Sequence, residues 1–323
     1  MVPQPGWDDG EVIRDDIEDS DRLTIGTRGS PLALAQAKEV AMTLVAASAG
    51  MLAAPDLLVI KTSGDQIQDR PLAEAGGKGL FTKEIDEALL GHYADIAVHS
   101  MKDLPTELPD GIVVGAVLPR QDPRDVLIGA ESIAALPKCA RLGTSSLRRA
   151  AQVRGRRPDV TIVGLRGNVQ TRIKKINEGA AEATLLALAG LNRLSIDASA
   201  YAVLDPAEML PAVAQGAIAI TCRADDSAAR GMLQRVSHAA SERATAAERA
   251  LLAALEGSCR TPIAALAEID GDGVLTLRAA VLAPDGSKRH DAERRGSDKD
   301  ADAMGRDAGE ELRRRAGPNF FTT

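Results

Sequence analysis

Apolar residues in this chain fall in short blocks, and most blocks are followed by a segment in which they recur at every third or fourth position. That alternation predicts strands followed by amphipathic helices. Residues 23–27 form a short strand that runs through Arg28-Gly29-Ser30-Pro31 into a helix over 32–47, with Ser30 as its N-cap and Pro31 at its first position. A second strand follows at 57–62, a helix at 80–90, a buried strand at 94–98 and another apolar run at 113–118. A new series then begins, with strands at 126–128, 141–143, 160–163 and 183–189 and helices at 132–136, 147–153 and 169–176. The apolar run 217–222 can return to the first sheet. Near the C-terminus a helix over 239–255 precedes strands at 263–269, 275–282 and 288–295, with Pro284-Asp285-Gly286 turning between the last two. A final helix carries Ala301, Met304, Ala308 and Leu312 on one face and stops at Gly317-Pro318.

This pattern predicts an α/β protein of two lobes with a hinged cleft between them, plus a smaller C-terminal α+β domain. A chain of 323 residues exceeds one ordinary core. Residues 1–21 hold eight acidic side chains and almost nothing to bury, which predicts a disordered acidic extension. Residues 22–118 with 216–236 make a discontinuous first domain, residues 119–215 a second and residues 237–323 a third. The segment 119–125, rich in proline and charge, reads as a crossing between the first two.

Composition narrows the chemistry. A net charge of −7 and an aromatic content of 2% argue against a polyanion binder that stacks bases. Cys139, Cys222 and Cys259 form no CxxC pair and the four histidines are scattered, so neither a metal site nor a disulfide framework is expected. The N-terminus lacks a signal-peptide pattern and no apolar run is long enough to cross a bilayer, so a cytoplasmic protein is expected.

Within that frame several stretches stand out. The buried strand 94–98 ends in His99-Ser100-Met101-Lys102-Asp103, at the carboxyl end where open α/β sheets gather ligands, which makes Asp103 a candidate for chemistry. Between residues 141 and 175 there are ten basic side chains and one acidic one, Asp159. Thr144-Ser145-Ser146 places Arg148 and Arg149 in the first turn of a helix, and Leu165-Arg166-Gly167-Asn168 repeats the arrangement with Arg172 one turn later. Two helix N-termini with arginines suit a polyanion, whether carboxylates or phosphates. Arg154, Arg156 and Arg157 read as ordinary surface. Gly76-Gly77-Lys78-Gly79 lacks the spacing of a nucleotide-binding loop and reads as a glycine-rich hinge carrying Lys78 and Phe81. Cys259 sits on a turn, Gly257-Ser258-Cys259-Arg260-Thr261-Pro262, where it can be a packed apolar residue, a redox thiol or an anchor for a covalent group.

Taken together and in order, Gly76 to Phe81, Ala97 to Asp103, Thr144 to Arg149, Leu165 to Val169 and the Cys259 loop resemble the porphobilinogen deaminase (hydroxymethylbilane synthase) family, from about Arg22 to the last helix. The resemblance implies two periplasmic-binding-protein-like domains and a smaller domain bearing a cofactor cysteine. It implies a transferase that condenses four porphobilinogen molecules, with release of ammonia, into the linear tetrapyrrole hydroxymethylbilane. The primer would be a dipyrromethane cofactor held by a thioether to Cys259, and Asp103 would be the catalytic carboxylate. Arg28, Arg148, Arg149, Arg166, Arg172 and Arg193 would bind the acetate and propionate groups, with Ser30, Lys78, Phe81, Ser100, Lys102, Thr144, Ser145, Ser146 and Gln215 in support. The implied partner is the small-molecule substrate, with no nucleic acid and no membrane, and the implied state is a monomer. Two positions depart from the family pattern: Ala214 and Ser258 stand where glycine is common. A two-lobed binding protein for a polycarboxylate is the alternative; it predicts a bare Cys259 and indifference to change at Asp103.

Overall fold

The computed structural model of the protein describes residues 22–66, 81–257, 261–318 and 320. Lys78 and Cys259 lie outside the described residues. The first part of the chain contains β1 (Thr24–Arg28), α1 (Pro31–Ala47), β2 (Asp56–Ile60), the single turn α2 (Ser63–Gln66), α3 (Lys83–Leu90), β3 (Ile96–Ser100) and β4 (Ile112–Val117). Ser30 caps α1 by accepting the Ala33 amide at 3.3 Å, as its place before Pro31 predicts. The next part holds β5 (Asp125–Ile128), β6 (Arg141–Gly143), α4 (Leu147–Arg156), β7 (Thr161–Val163), α5 (Val169–Asn177), β8 (Ala183–Ala187), α6 (Leu188–Arg193) and β9 (Ala202–Val203). Last come β10 (Ile218–Arg223), α7 (Ser227–Gln234), α8 (Ala239–Ala254), β11 (Ile263–Ile269), β12 (Val274–Leu282), β13 (Arg289–Ser297) and α9 (Ala301–Ala316).

The strands build two five-stranded sheets and one of three. The first sheet runs β2-β1-β3-β10-β4 and the second β7-β6-β8-β5-β9. Three neighbouring strands in each are parallel, and the fourth strand, β10 or β5, is antiparallel to both of its neighbours. That fourth strand arrives from the other sheet: β5 follows β4, and β10 enters after the second sheet is complete. The two lobes therefore share one topology, although no repeat is visible in the sequence. Each sheet is covered on both faces by apolar clusters, Ile25, Val40, Leu44 and Leu233 opposite Ile60, Ile85 and Leu89 in the first, Leu127, Leu142 and Leu185 opposite Val126, Leu186 and Leu191 in the second. Each fully buried side chain of this kind contributes ~1.5–3 kcal/mol.

The third sheet, β11-β12-β13, is antiparallel. Alternate residues of β11 face opposite ways, Ile263, Ala265 and Ala267 towards α8 and α9 and Ala264 and Leu266 towards Ala151 of α4 and Leu210. The close packing of α8 on α9 depends on Gly305, where a Cβ would stand 2.1 Å from the Ala247 carbonyl oxygen. At the crossing between lobes, Gly216 has φ +90° and a Cβ there would meet the Gln121 carbonyl at 2.3 Å.

Three local expectations change. Residues 132–136 form turns instead of a helix: the segment is short, Pro137 follows it, and its amides go to side chains, Ala135 to Ser132 Oγ and Ile133 to the Glu208 carboxylate. The strand over 183–189 stops at Ala187, and the apolar run continues as α6. Helix α7, capped by Asp226 on the Ala229 amide, was not expected.

Candidate active site

The candidate residues sit on loops that leave the carboxyl ends of β1, β3, β6 and β7. At the end of β3 the chain makes one 3-10 turn, Met101–Asp103, closed by the Leu104 amide donating to the Met101 carbonyl at 3.1 Å. The turn sorts its side chains. Met101 and Leu104 are 4% exposed and belong to the apolar cluster beneath α8, whereas the Asp103 side chain is exposed. The Asp103 carboxylate accepts no hydrogen bond from the described residues, so it does not serve as a cap for the turn before Leu104-Pro105.

In the second lobe, Thr144, Ser145 and Ser146 are consumed in shaping the loop. The Ser146 amide donates to Thr144 Oγ1 at 3.1 Å, Ser145 Oγ donates to the Leu165 carbonyl at 3.2 Å, and Ser146 Oγ caps α4 on the Arg149 amide. Asn168 caps α5 in the same manner, on the Thr171 amide at 2.8 Å. The Ser145 bond ties the two helix entrances together.

Arg148 and Arg149, expected at the mouth of α4, are each only 5% exposed. Both turn onto Asp125 at the start of β5. Arg149 Nη2 donates to Oδ1 at 2.7 Å, and Arg148 Nη2 lies 2.8 Å from Oδ2 but off the hydrogen-bonding direction. Their remaining terminal nitrogens go to main chain, Arg148 Nη1 to the Leu210 carbonyl and Arg149 Nη1 to that of Leu185. Gln215, 1% exposed, donates to the Pro123 carbonyl and to Asp125 Oδ1. Burial would raise the Asp125 carboxyl, but the two guanidiniums outweigh it and hold it well below the usual carboxylate range. One buried carboxylate thus faces two buried arginines. Two buried donors there, Arg148 Nε and Arg149 Nε, have no partner, and neither does the acceptor Asp125 Oδ2.

Charge from both lobes converges here. Burial brings Lys102 down to about 8; Asp103 pulls it back up, Arg149 pushes it down, and Asp125 and Arg148 add smaller opposing effects. Arg172 is lowered to about 10 by burial, Arg149 and Arg166, with Asp103 acting the other way, while its Nε donates to the Gly167 carbonyl at 2.8 Å. Lys102, Asp103, Arg148, Arg149, Arg166 and Arg172 therefore form one electrostatic group. Arg28 lies at the other strand end, with its guanidinium 4.3 Å from the centre of the Phe81 ring. Burial and then Arg28 push His99 down to about 4, and its Nε2 bonds Thr221 Oγ1 at 2.9 Å. Ser100 exchanges hydrogen bonds with the Gln36 amide on α1. Arg193 joins the lobes: its Nε donates to Glu39 of α1 at 2.9 Å and its Nη2 to the Gly216 carbonyl at 3.1 Å.

A family model for the porphobilinogen deaminase dipyrromethane cofactor-binding domain matches residues 23–231, and one for the C-terminal domain of that enzyme matches 243–314. The chain belongs to the porphobilinogen deaminase family. The porphobilinogen deaminase of Paracoccus denitrificans is 54% identical over 93% of this chain and 96% of its own. The chloroplastic porphobilinogen deaminase of Oryza sativa subsp. japonica is 51% identical over 93% of this chain and 85% of its own. Among solved structures, an arginine-specific periplasmic binding protein of Salmonella typhimurium aligns with 67% of this chain and 92% of its own at 12% identity, with a TM-score of 0.38.

The donor set suits the cofactor named by the family model. A dipyrromethane bears several carboxylates, and the unpartnered Nε atoms of Arg148 and Arg149, with Lys102 and Arg172 beside them, are donors in need of such acceptors. Sequence reading missed Asp125 because it lies in Pro119-Arg120-Gln121-Asp122-Pro123-Arg124-Asp125, where proline and alternating charge read as linker. It also missed Glu248 on α8, fully buried, which binds Arg120 through both carboxylate oxygens and accepts the Ala214 and Ala267 amides. Ala214, in place of the family's common glycine, adopts φ +58° and is held there by that bond. Arg157, read as surface, pairs with Asp159 and donates to the carbonyls of Ile133, Ala134, Leu136 and Pro137.

Proposed function

We propose that the protein condenses four porphobilinogen molecules, with release of ammonia, into hydroxymethylbilane, extending a dipyrromethane held as a thioether by Cys259. The observation that carries this reading is an exposed carboxylate, Asp103, set against a buried, charge-surplus arginine pair whose Nε donors lack partners. Family membership supports the enzyme class. The bound dipyrromethane would supply the pyrrole α-carbon to which the first substrate unit is joined.

This chain's residues do the rest. Arg148, Arg149, Arg166 and Arg172, with Lys102, neutralise the acetate and propionate groups, two of which arrive with every unit added. Arg28, stacked on Phe81, offers a further guanidinium at the end of β1, with Ser30 and Lys78 in support; Ser100 and Thr144 to Ser146 shape the wall, and Gln215 and Arg193 act from behind it. Loss of the aminomethyl nitrogen as ammonia leaves a cation on the substrate, and Asp103 stabilises that charge. The same carboxylate carries the proton that departs from the pyrrole carbon when the new carbon–carbon bond forms. Each condensation releases one ammonia and leaves the chain one pyrrole longer; after four, one water would cleave the bond to the primer and supply the product's hydroxyl group.

The family resemblance also supports a monomer in the cytoplasm that handles a small pyrrole, with no nucleic acid or membrane; among the described residues no helix is long and apolar enough to cross a bilayer. The intact mass of the denatured protein, beside that of a Cys259→Ser variant, tests the reading. The parent chain should carry the mass of two condensed porphobilinogen units and the variant none. A parent chain that stays bare after incubation with porphobilinogen would replace this reading with that of a two-lobed polycarboxylate-binding protein.

A further inference from the structure

The turn that presents Asp103 belongs by sequence to the first lobe, yet the C-terminal domain holds it. Met101 and Leu104, on either side of Lys102-Asp103, are buried in the cluster formed with Ala247 and Leu251 of α8. Polar contacts complete the seat. Arg249, also on α8, places Nη2 2.7 Å from the Pro105 carbonyl oxygen and 3.2 Å from that of Thr106, while Nη1 reaches the Leu104 carbonyl at 3.4 Å. A guanidinium that gathers three successive carbonyls fixes the path of the backbone there, because its donors are coplanar and set at fixed angles.

The arginine is costly where it stands. Burial lowers its pKa, and no carboxylate of the described residues offsets that. A half-buried cation with no acid partner among the described residues, spent on main-chain carbonyls, is a poor choice for stability alone and a good one for precision. Its neighbour Glu248 does comparable work on the crossing between lobes, bonding Arg120 and the Ala214 amide. Two adjacent residues of one helix thus hold the crossing and the Asp103 turn, and Cys259 follows the end of that helix closely in the sequence.

We infer that Arg249 is a positioning residue for the condensation, setting Asp103 from the C-terminal domain through the carbonyls of Leu104, Pro105 and Thr106. This rests on the role proposed for Asp103. A displacement of about 1 Å at a reacting group costs on the order of a hundredfold, so the effect falls on turnover and spares binding.

A double-mutant cycle tests it, with porphobilinogen as substrate and the primer mass recorded for every variant. Arg249→Met should lower kcat by tenfold to a hundredfold with KM within about threefold and the primer retained, and Arg249→Lys should fall between it and the parent. In the Asp103→Asn background, Arg249→Met should change the residual rate by less than about threefold, because the group it positions is already gone. Should Arg249→Met fail to fold, Arg249→Lys carries the same comparison. Parent-like turnover in the Arg249 variants, or equal losses in both backgrounds, overturns the inference. Parent-like turnover of Asp103→Asn would instead sink the role of Asp103 itself, a distinct result.

Discussion

The two lobes share a strand order and meet the same region with the same parts, strand ends and capped helix entrances, but they bring opposite chemistry. The first lobe offers Asp103 on a short turn, exposed and without a hydrogen bond from the described residues. The second offers arginines, and it buries a carboxylate of its own, Asp125, to hold two of them. One topology therefore specifies where a group stands, and the residues at the strand ends decide whether it binds or reacts. The two carboxylates differ accordingly. In the proposed reaction Asp103 meets charge that appears during catalysis, whereas Asp125 meets charge that is always present.

Removing each carboxylate in turn separates those roles. Asp103→Asn should keep the fold and the melting temperature within a degree or two while turnover drops a hundredfold or more, the usual worth of a positioned acid–base group. Asp103→Glu, longer by one methylene, should retain some activity. Steady-state release of hydroxymethylbilane measures both, and a fully active Asn variant would remove Asp103 from the mechanism.

Asp125→Ala should do the reverse and strike stability first. It strands Arg148 and Arg149, both nearly dry, and breaking a buried pair in this way costs about 3–5 kcal/mol. Urea denaturation should register the whole loss. If Asp125→Ala kept the parent's stability, the arginines would have to be held by their main-chain bonds alone.

A third carboxylate sharpens the contrast, since it lies in the first lobe and pairs with no cation among the described residues. Asp86 on α3 is 4% exposed, bonds Thr82, and leaves Oδ1 without a partner; burial, against the pull of Thr82, raises its pKa to about 6. The folded state therefore holds that proton more tightly than the unfolded chain does. Its stabilising share is complete below about pH 4 and is lost as pH rises to about 6, amounting to at most about 3 kcal/mol. Asp86→Asn mimics the protonated form, so it should stabilise the protein at pH 8 by up to that amount and leave it unchanged near pH 4. Melts at the two pH values decide; an equal effect at both would mean that Asp86 does not titrate there.

The sequence made some of this arrangement legible and hid the rest for physical reasons. Ser30-Pro31, Ser146 and Asn168 were readable as helix entrances because capping is local, decided within four residues. Asp103 was readable because a buried strand ends beside it. Asp125 and Glu248 were not, since their meaning lies in partners 24 and 128 residues away in Arg149 and Arg120. Arg148 and Arg149 lie in the first turn of α4, as the sequence predicts, but their burial depends on the same unseen carboxylate. The crossing between lobes shows the same limit: the apolar run 217–222 can be seen to be a strand, while the shared strand order of the two lobes appears only once β10 and β5 are placed.

The smallest effect is a pH dependence centred on Lys102. Burial lowers the pKa of Lys102 in the first lobe to about 8, with its neighbour Asp103 pulling it up and Arg149 of the second lobe pushing it down. The lysine thus carries its charge below about pH 8 and surrenders it above. As kcat/KM reports the free enzyme, it should stay level up to about pH 8 and then fall by at most ~tenfold per pH unit, equivalent to ~1.4 kcal/mol. A bound polycarboxylate favours the charged amine, so the corresponding break in kcat should come at higher pH. Lys102→Met should lower kcat/KM at neutral pH and remove the fall above 8. Arg172, lowered only to about 10, stays charged throughout and does not imitate the effect. If the alkaline limb survives in Lys102→Met, another group titrates and Lys102 has no part in the pH dependence.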